Sequence, residues 1–283
     1  MAEAMAVGII GGGWPGKAHA RGYATTPGFK LAAIADLIPA RRKAMMDEFT
    51  IPLQYADAMD LIADKSIGVV SICLPNHLHA AVAVAALKAG KHVVCEIPPA
   101  IQSKEARQIE SAAAKSGKVV LYAAQRRFGA NEQAAHQAID KGYAGAVYHA
   151  RASWTRTRGI PTGTGWYTDN AKAGGGALID LGIHMLDLAW YLLGRPKPQT
   201  VMGITHRRLS APTEGRVFDV EDAAFALVRF EGGQSLELSS SWALNQPPQQ
   251  NGAVCRIYGQ EGAVDVYTPA GAALHRSFNA NGE

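Results

Sequence analysis

Two stretches of the sequence carry residue types at spacings that could do chemistry. The first is Gly11-Gly12-Gly13-Trp14-Pro15-Gly16, in which Gly11, Gly13 and Gly16 fill a G-x-G-x-x-G pattern. It follows an apolar run, Met5–Ile10, and opens an Ala-rich amphipathic stretch, which is the strand–loop–helix context of a dinucleotide site. Gly11 permits the tight turn, Gly13 lets the backbone approach a pyrophosphate, and Gly16 lets helix and strand pack closely. The helix start offers free N–H groups and a partial positive charge to phosphates. Pro15 falls in the first turn, where its missing N–H costs little. Asp36 ends the next strand-like run, 20 residues after Gly16, where a carboxylate would accept hydrogen bonds from ribose hydroxyls. It would repel a 2′-phosphate, so NAD is expected over NADP; Arg41 and Arg42 are the argument for the phosphate. The plainer alternative is a glycine turn followed by a helix-capping Asp.

The second stretch follows Gly174-Gly175-Gly176. Asp180, His184 and Asp187 are spaced i, i+4, i+7, on one sector of a helix whose other positions from Ala177 to Leu193 are nearly all apolar. Burying three ionisable groups without partners is costly, so they should face one polar or cofactor-lined space. Asp180 can hold His184 in one tautomer and raise its basicity, an orienter–base pair. No further ligand has matching spacing, so no metal is expected. The competing reading is a satisfied buried Asp–His pair near a domain interface.

The elements that must position these residues come in two patterns. Up to Tyr122, short apolar runs at Met5–Ile10, Lys30–Ala35, Val69–Leu74, His92–Cys95 and Val119–Tyr122 alternate with amphipathic stretches. Such alternation predicts βαβ units and a doubly wound parallel sheet. Beyond it, helices are predicted near Asn131–Lys141 and Ala177–Leu193. Strands are predicted at Ala146–Thr157, Thr200–Arg207, Ala223–Phe230, Ser235–Trp242, Val254–Tyr258, Ala263–Tyr267 and Ala273–Phe278. Short turns such as Glu231-Gly232-Gly233 predict hairpins, hence an open, mostly antiparallel sheet. The fold class is therefore α/β, a Rossmann domain over 1–124, followed by an α+β domain over 125–283.

The chain has 283 residues, 48% hydrophobic and 18% charged, a globular composition. A net charge of +4 from scattered basic residues gives no nucleic-acid footprint. The apolar run from Ala177 to Leu193 is broken by three ionisable groups, so no membrane span is expected. The N-terminus lacks a signal-peptide pattern, and Cys73, Cys95 and Cys255 sit in strand-like runs as buried thiols. Those two features predict a cytoplasmic location.

With these motifs in order, the sequence resembles the glucose–fructose oxidoreductase / inositol dehydrogenase / rhizopine catabolism (Gfo/Idh/MocA) family over nearly its whole length. The landmarks are Gly11–His19, Cys73-Leu74-Pro75-Asn76-His77-Leu78-His79, Gly90-Lys91-His92-Val93, Arg126-Arg127-Phe128 and Gly174–His184. The resemblance implies NAD(P) and substrate held between a Rossmann domain and a mixed-sheet domain, acting on a hydroxyl or carbonyl of a sugar, inositol or related polyol. It implies cofactor contacts at Trp14, Leu74, Asn76, His79, Glu96 and Pro98, with Asn76 equally readable as a helix cap. It makes His184 the catalytic base. Arg127 anchors a polar substrate or pairs with an interdomain acid; Trp166 and Tyr167 stack on a sugar or form loop core. Arg156 and Arg158 are further candidates for specificity, and Lys17 reads as a solvated helix residue. Homodimers or homotetramers through the C-terminal sheet are expected.

Two departures stand out. The family's Glu-Lys-Pro reads Glu96-Ile97-Pro98 here, without the lysine, and members usually run on past this length. The first expectation is a hydride-transferring dehydrogenase or reductase. Ile97 keeps open an NAD-dependent glycoside hydrolase, and the short C-terminus a non-catalytic NAD- or sugar-binding protein.

Overall fold

A computed structural model describes residues 4–161, 165–209 and 217–276. The chain divides between Ala123 and Ala124 into two compact units.

The N-terminal unit holds strands β1 (Met5–Ile10), β2 (Phe29–Ala35), β3 (Leu53–Tyr55), β4 (Val69–Ile72), β5 (His92–Cys95) and β6 (Val120–Tyr122). Between them lie helices α1 (Trp14–Thr25), α2 (Pro39–Phe49), α3 (Ala58–Ala63), α4 (Asn76–Lys88) and α5 (Ser103–Ser116). The strands are all parallel, in the order β3-β2-β1-β4-β5-β6. Residues such as Val69, Val70 and Ile72 are buried because helices cover both faces, which is why these strands read as continuous apolar runs. The strand order reverses between β1 and β4, and ligands of such sheets bind at the carboxyl ends there. The sequence reading lacked β3: only three residues long, with Leu53 and Gln54 exposed, it has no apolar run to reveal it.

The C-terminal unit begins with a 3₁₀ turn, Gln125–Phe128, and helix α6 (Ala130–Asp140), then β7 (Val147–Thr155) and the short α7 (Asn170–Ala173). A π-helical turn, Leu178–Gly182, leads into α8 (Ile183–Leu192). Strands β8 (Pro198–His206), β9 (Ala223–Phe230), β10 (Ser235–Ser241), β11 (Gly252–Gly259), β12 (Ala263–Thr268) and β13 (Gly271–His275) follow. The sheet order is β13-β12-β11-β7-β10-β9-β8, antiparallel except for the parallel β7–β10 pair. Leu236, Leu238, Val228, Cys255 and Ile257 point to one face and pack with Met185, Leu188 and Leu192 of α8. The expected last strand ends at His275; Phe278 lies outside the described residues.

One expectation needs correction. The run from Ala177 to Leu193 is not one regular helix. The Ile183 N–H donates to the Leu178 carbonyl, a five-residue closure. Single π turns concentrate at functional sites because they re-aim side chains. Here the turn carries Asp180, while His184 and Asp187 lie on the regular α-helix that follows.

Candidate active site

The glycine loop is built by backbone contacts. Gly11 has φ +100°, and a Cβ there would lie 2.2 Å from the Cys73 carbonyl oxygen. At Gly16 a Cβ would lie 1.9 Å from the Gly11 carbonyl oxygen. Both positions are fixed by packing within the protein. Gly13 differs: a Cβ would meet only Pro15 Cδ, at 3.6 Å. The protein itself gives no reason for glycine there, whereas a pyrophosphate resting on the backbone does. The start of α1 and exposed Trp14 border the same loop.

Asp36 joins the loop to β2. Its Oδ2 accepts from Gly12 N at 2.8 Å and its Oδ1 from Ile38 N at 2.8 Å. Arg41 Nη1 is 3.8 Å from Oδ2, and Arg42 donates to the Asp36 carbonyl at 2.6 Å and to Gln54 at 3.0 Å. Arg42 is therefore engaged inside the protein, leaving Arg41 as the second guanidinium beside Asp36.

Asn76 is the first residue of α4, after Pro75, and is buried. His79 is 1% exposed, with Nδ1 2.7 Å from the Pro98 carbonyl and Nε2 2.7 Å from the Leu74 carbonyl. It ties the loop after β4 to the loop after β5, so Leu74 and Pro98 present backbone to it. A neutral imidazole has one N–H, so His79 donates to one of these carbonyls while its other nitrogen faces the second, and the ring lies between the two loops. Burial pushes its pKa down, against the pull of the two carbonyls. Glu96 likewise turns inward: Oε1 is 3.0 Å from His19 Nε2, and His19 Nδ1 is 2.6 Å from Ser71 Oγ.

In the C-terminal unit the site is made of side chains. Glu221 accepts from Gly176 N at 2.8 Å and Leu178 N at 2.9 Å, and a Cβ at Gly176 would lie 1.9 Å from the Glu221 carbonyl. This pins the π turn at its start. Asp180 Oδ2 accepts from the Trp242 indole N–H at 2.7 Å. The charge of His184 also acts on Asp180. Loss of water raises the Asp180 pKa, while Trp242, Arg156 and His184 pull it back down. The Trp154 ring centroid lies 5.7 Å from that of His184. Trp154 also carries the guanidinium of Arg126 at 4.6 Å and of Arg156 at 5.5 Å.

The remaining expectations fall out differently. Arg127 forms a two-pronged pair with Asp187, Nε at 2.8 Å and Nη2 at 2.5 Å, so its fork is engaged by α8 within its own unit. Trp166 and Tyr167 stack on each other at 3.9 Å. Each therefore keeps only one ring face for any ligand. Lys17 pairs with Glu48 at 2.6 Å. No group of metal-ligating side chains occurs among the described residues.

Comparison with known families matches residues 5–124 to the oxidoreductase family with an NAD-binding Rossmann fold, and 133–265 to the GFO/IDH/MocA C-terminal domain. The chain belongs to the Gfo/Idh/MocA oxidoreductase family. Among Gfo/Idh/MocA relatives is an Escherichia coli D-glucoside 3-dehydrogenase, 34% identical over 85% of this chain and 71% of its own length. An NAD-binding oxidoreductase from Klebsiella pneumoniae superposes with TM-score 0.85 at 28% identity, over 98% of this chain and 77% of that one. A levoglucosan dehydrogenase in complex with NADH and levoglucosan gives 0.82 at 26% identity, over 97% and 80%. Trp154, Glu221 and Trp242 escaped the sequence reading of this Gfo/Idh/MocA chain. Each lies 20 residues or more from the motif it supports, on a strand or in a loop, with no local pattern to flag it.

Proposed function

We propose that this oxidoreductase oxidises a ring hydroxyl of a sugar or cyclic polyol with NAD, His184 being the base that removes the hydroxyl proton. The observation that carries the reading is the Asp180–His184 couple, set on a π turn pinned by Glu221 and flanked by Trp154. Relatives named for a D-glucoside and for levoglucosan support the substrate class. Bound NAD supplies a hydride acceptor at the nicotinamide C4. The residues that would hold it are Gly11–Gly16, with the α1 N-terminus toward phosphate and Asp36 toward ribose. With Ile97 in place of a lysine, no proton can leave through position 97, and His184 takes that task. Asp180 stabilises the imidazolium by charge, and the Trp242 N–H favours the ionised carboxylate, against the desolvation that raises its pKa.

The test is NADH formation with D-glucose, methyl glucoside, levoglucosan and myo-inositol. Turnover of at least one is expected. Cleavage of a chromogenic glycoside with only catalytic NAD would replace this reading with the hydrolase one.

The protein is also proposed to assemble as a dimer or tetramer, working in the cytoplasm on a small molecule rather than on nucleic acid. Met202 and Ile204 of β8 register with Leu227 and Phe225 of β9, and all four are exposed on the sheet face away from α8. Contiguous apolar surface of this kind marks a contact face. Light scattering at micromolar concentration should give a multiple of the chain mass; a strict monomer would refute it. No helix among the described residues is long and apolar enough to cross a membrane.

A further inference from the structure

The arginines of the C-terminal unit are not alike. Arg126 has Glu132 at 3.7 Å, Arg127 has Asp187 at 2.5 Å, and Arg256 is paired with Asp265. Arg156 has no carboxylate in ion-pair contact among the described residues. Its one side-chain hydrogen bond is long, Nη1 to the Gly159 carbonyl at 3.4 Å, and its guanidinium lies over Trp154. Trp154 in turn lies beside His184.

We propose that Arg156 is a specificity residue that binds an anionic oxo group, carboxylate or phosphate, on the sugar-type substrate. This rests on the oxidoreductase reading above and narrows its substrate class. A guanidinium over an indole face is held by cation–π attraction while its N–H donors stay available at its edge. Arginine has five such donors in a fork that matches carboxylate and phosphate. The backbone is fixed for the purpose: Arg156 N donates to the Ser241 carbonyl at 2.9 Å, and Leu244 N donates to the Arg156 carbonyl at 2.8 Å.

The side chain's path depends on a second residue. A Cβ at Gly159 would come 2.7 Å from Arg156 Cδ, so glycine at 159 makes room for this pose. Arg158 stands two residues on, its Nη2 on Asn245 Oδ1 at 3.0 Å, and adds a second positive charge at the end of β7. Asp180 is the acid whose charge Arg156 feels, and it is already held by Trp242. An incoming anion therefore meets a net positive edge.

The experiment compares NAD-linked oxidation of D-glucose, D-glucuronate and D-glucose 6-phosphate by the wild type, Arg156→Gln, Arg156→Lys and Gly159→Ala. The anionic member should exceed glucose in kcat/KM by about tenfold or more in the wild type. Arg156→Gln should lower that anion-to-neutral ratio roughly 10–100-fold, mainly through KM, and Arg156→Lys should restore part of it. Gly159→Ala should shift the ratio the same way. The two anions separate a carboxylate site from a phosphate site. A wild type that prefers glucose, or an unchanged ratio in Arg156→Gln, would overturn the proposal and leave the oxidoreductase reading standing. No NADH from any of the three would overturn this proposal; the oxidoreductase reading falls only if methyl glucoside, levoglucosan and myo-inositol fail as well.

Discussion

The glycine loop of the N-terminal unit and the His184 corner of the C-terminal unit are built by opposite means. The loop is a backbone object. Gly11, Gly13, Gly16 and Asp36 lie within 26 residues, and their contacts are mostly backbone carbonyls and N–H groups, from this segment and from Cys73 at the end of β4. The His184 corner is a side-chain object. Trp154, Asp180, His184, Glu221 and Trp242 come from β7, the π turn, α8 and the loops before β9 and after β10. A backbone site tolerates change only where the protein does not fill the space. A side-chain site can be dismantled one partner at a time.

The comparison is broken hardest at Gly16. Gly16→Ala puts a methyl 1.9 Å from the Gly11 carbonyl. That overpacking should cost about 3 kcal/mol and abolish NADH binding by fluorescence. Native thermal stability together with normal binding would show that the loop is not packing-limited. Next in size is Glu221→Ala, which strips the acceptors from Gly176 N and Leu178 N. The part-buried Gly176 donor left bare costs about 1–3 kcal/mol, and the exposed Leu178 N–H, which water can reach, costs less. Turnover should fall while NADH affinity holds; a loss of affinity instead would contradict the division of labour. Gly13→Ala is the reverse case. The methyl fits the protein, so the fold should survive with its melting temperature unchanged, and NADH affinity should drop about 10-fold or more. Unchanged affinity would mean that no pyrophosphate rests there.

A smaller effect sharpens the picture at Asp180. Its folded-state pKa is raised, chiefly by desolvation, so the stability linked to it is present below the ordinary carboxylate value and lost as pH rises through the folded value. Asp180→Asn removes that loss and still accepts the Trp242 N–H. The variant should melt with the wild type near pH 4 and about 1–4 °C above it at pH 7, while turning over more slowly. A variant that melts lower at pH 7 would show that the carboxylate is a net stabiliser. The mildest change expected is Asp36→Ser. It should narrow the preference for NADH over NADPH, read by calorimetry, since Arg41 remains to meet a 2′-phosphate.

The same contrast explains what was legible in the sequence. The parallel sheet, its glycine loop and Asp36 could be read because strand, turn and helix signals are local. The antiparallel sheet followed from its hairpin turns. Asp180 and His184 could be seen as a pair, but their surroundings could not, since Trp242 lies 62 residues from Asp180 and Glu221 45 from Gly176. The π turn was invisible because Ala177–Leu193 has the composition of a regular helix. Glu96 and His79 were found as motif positions, yet their inward hydrogen bonds to His19 and to the Pro98 and Leu74 carbonyls depend on how neighbouring strand ends are set. Motif membership marked where these residues sit, and only the fold showed which way they turn.

His184→Ala tests most directly whether cofactor binding and proton transfer belong to separate groups. In one preparation, NADH affinity and NAD-linked turnover are measured across pH. A Kd within about twofold of the wild type and turnover lower by roughly 10²–10⁴ are expected. Wild-type turnover by an NADH-competent His184→Ala protein would contradict that separation and leave His184 a packing residue beside Trp154.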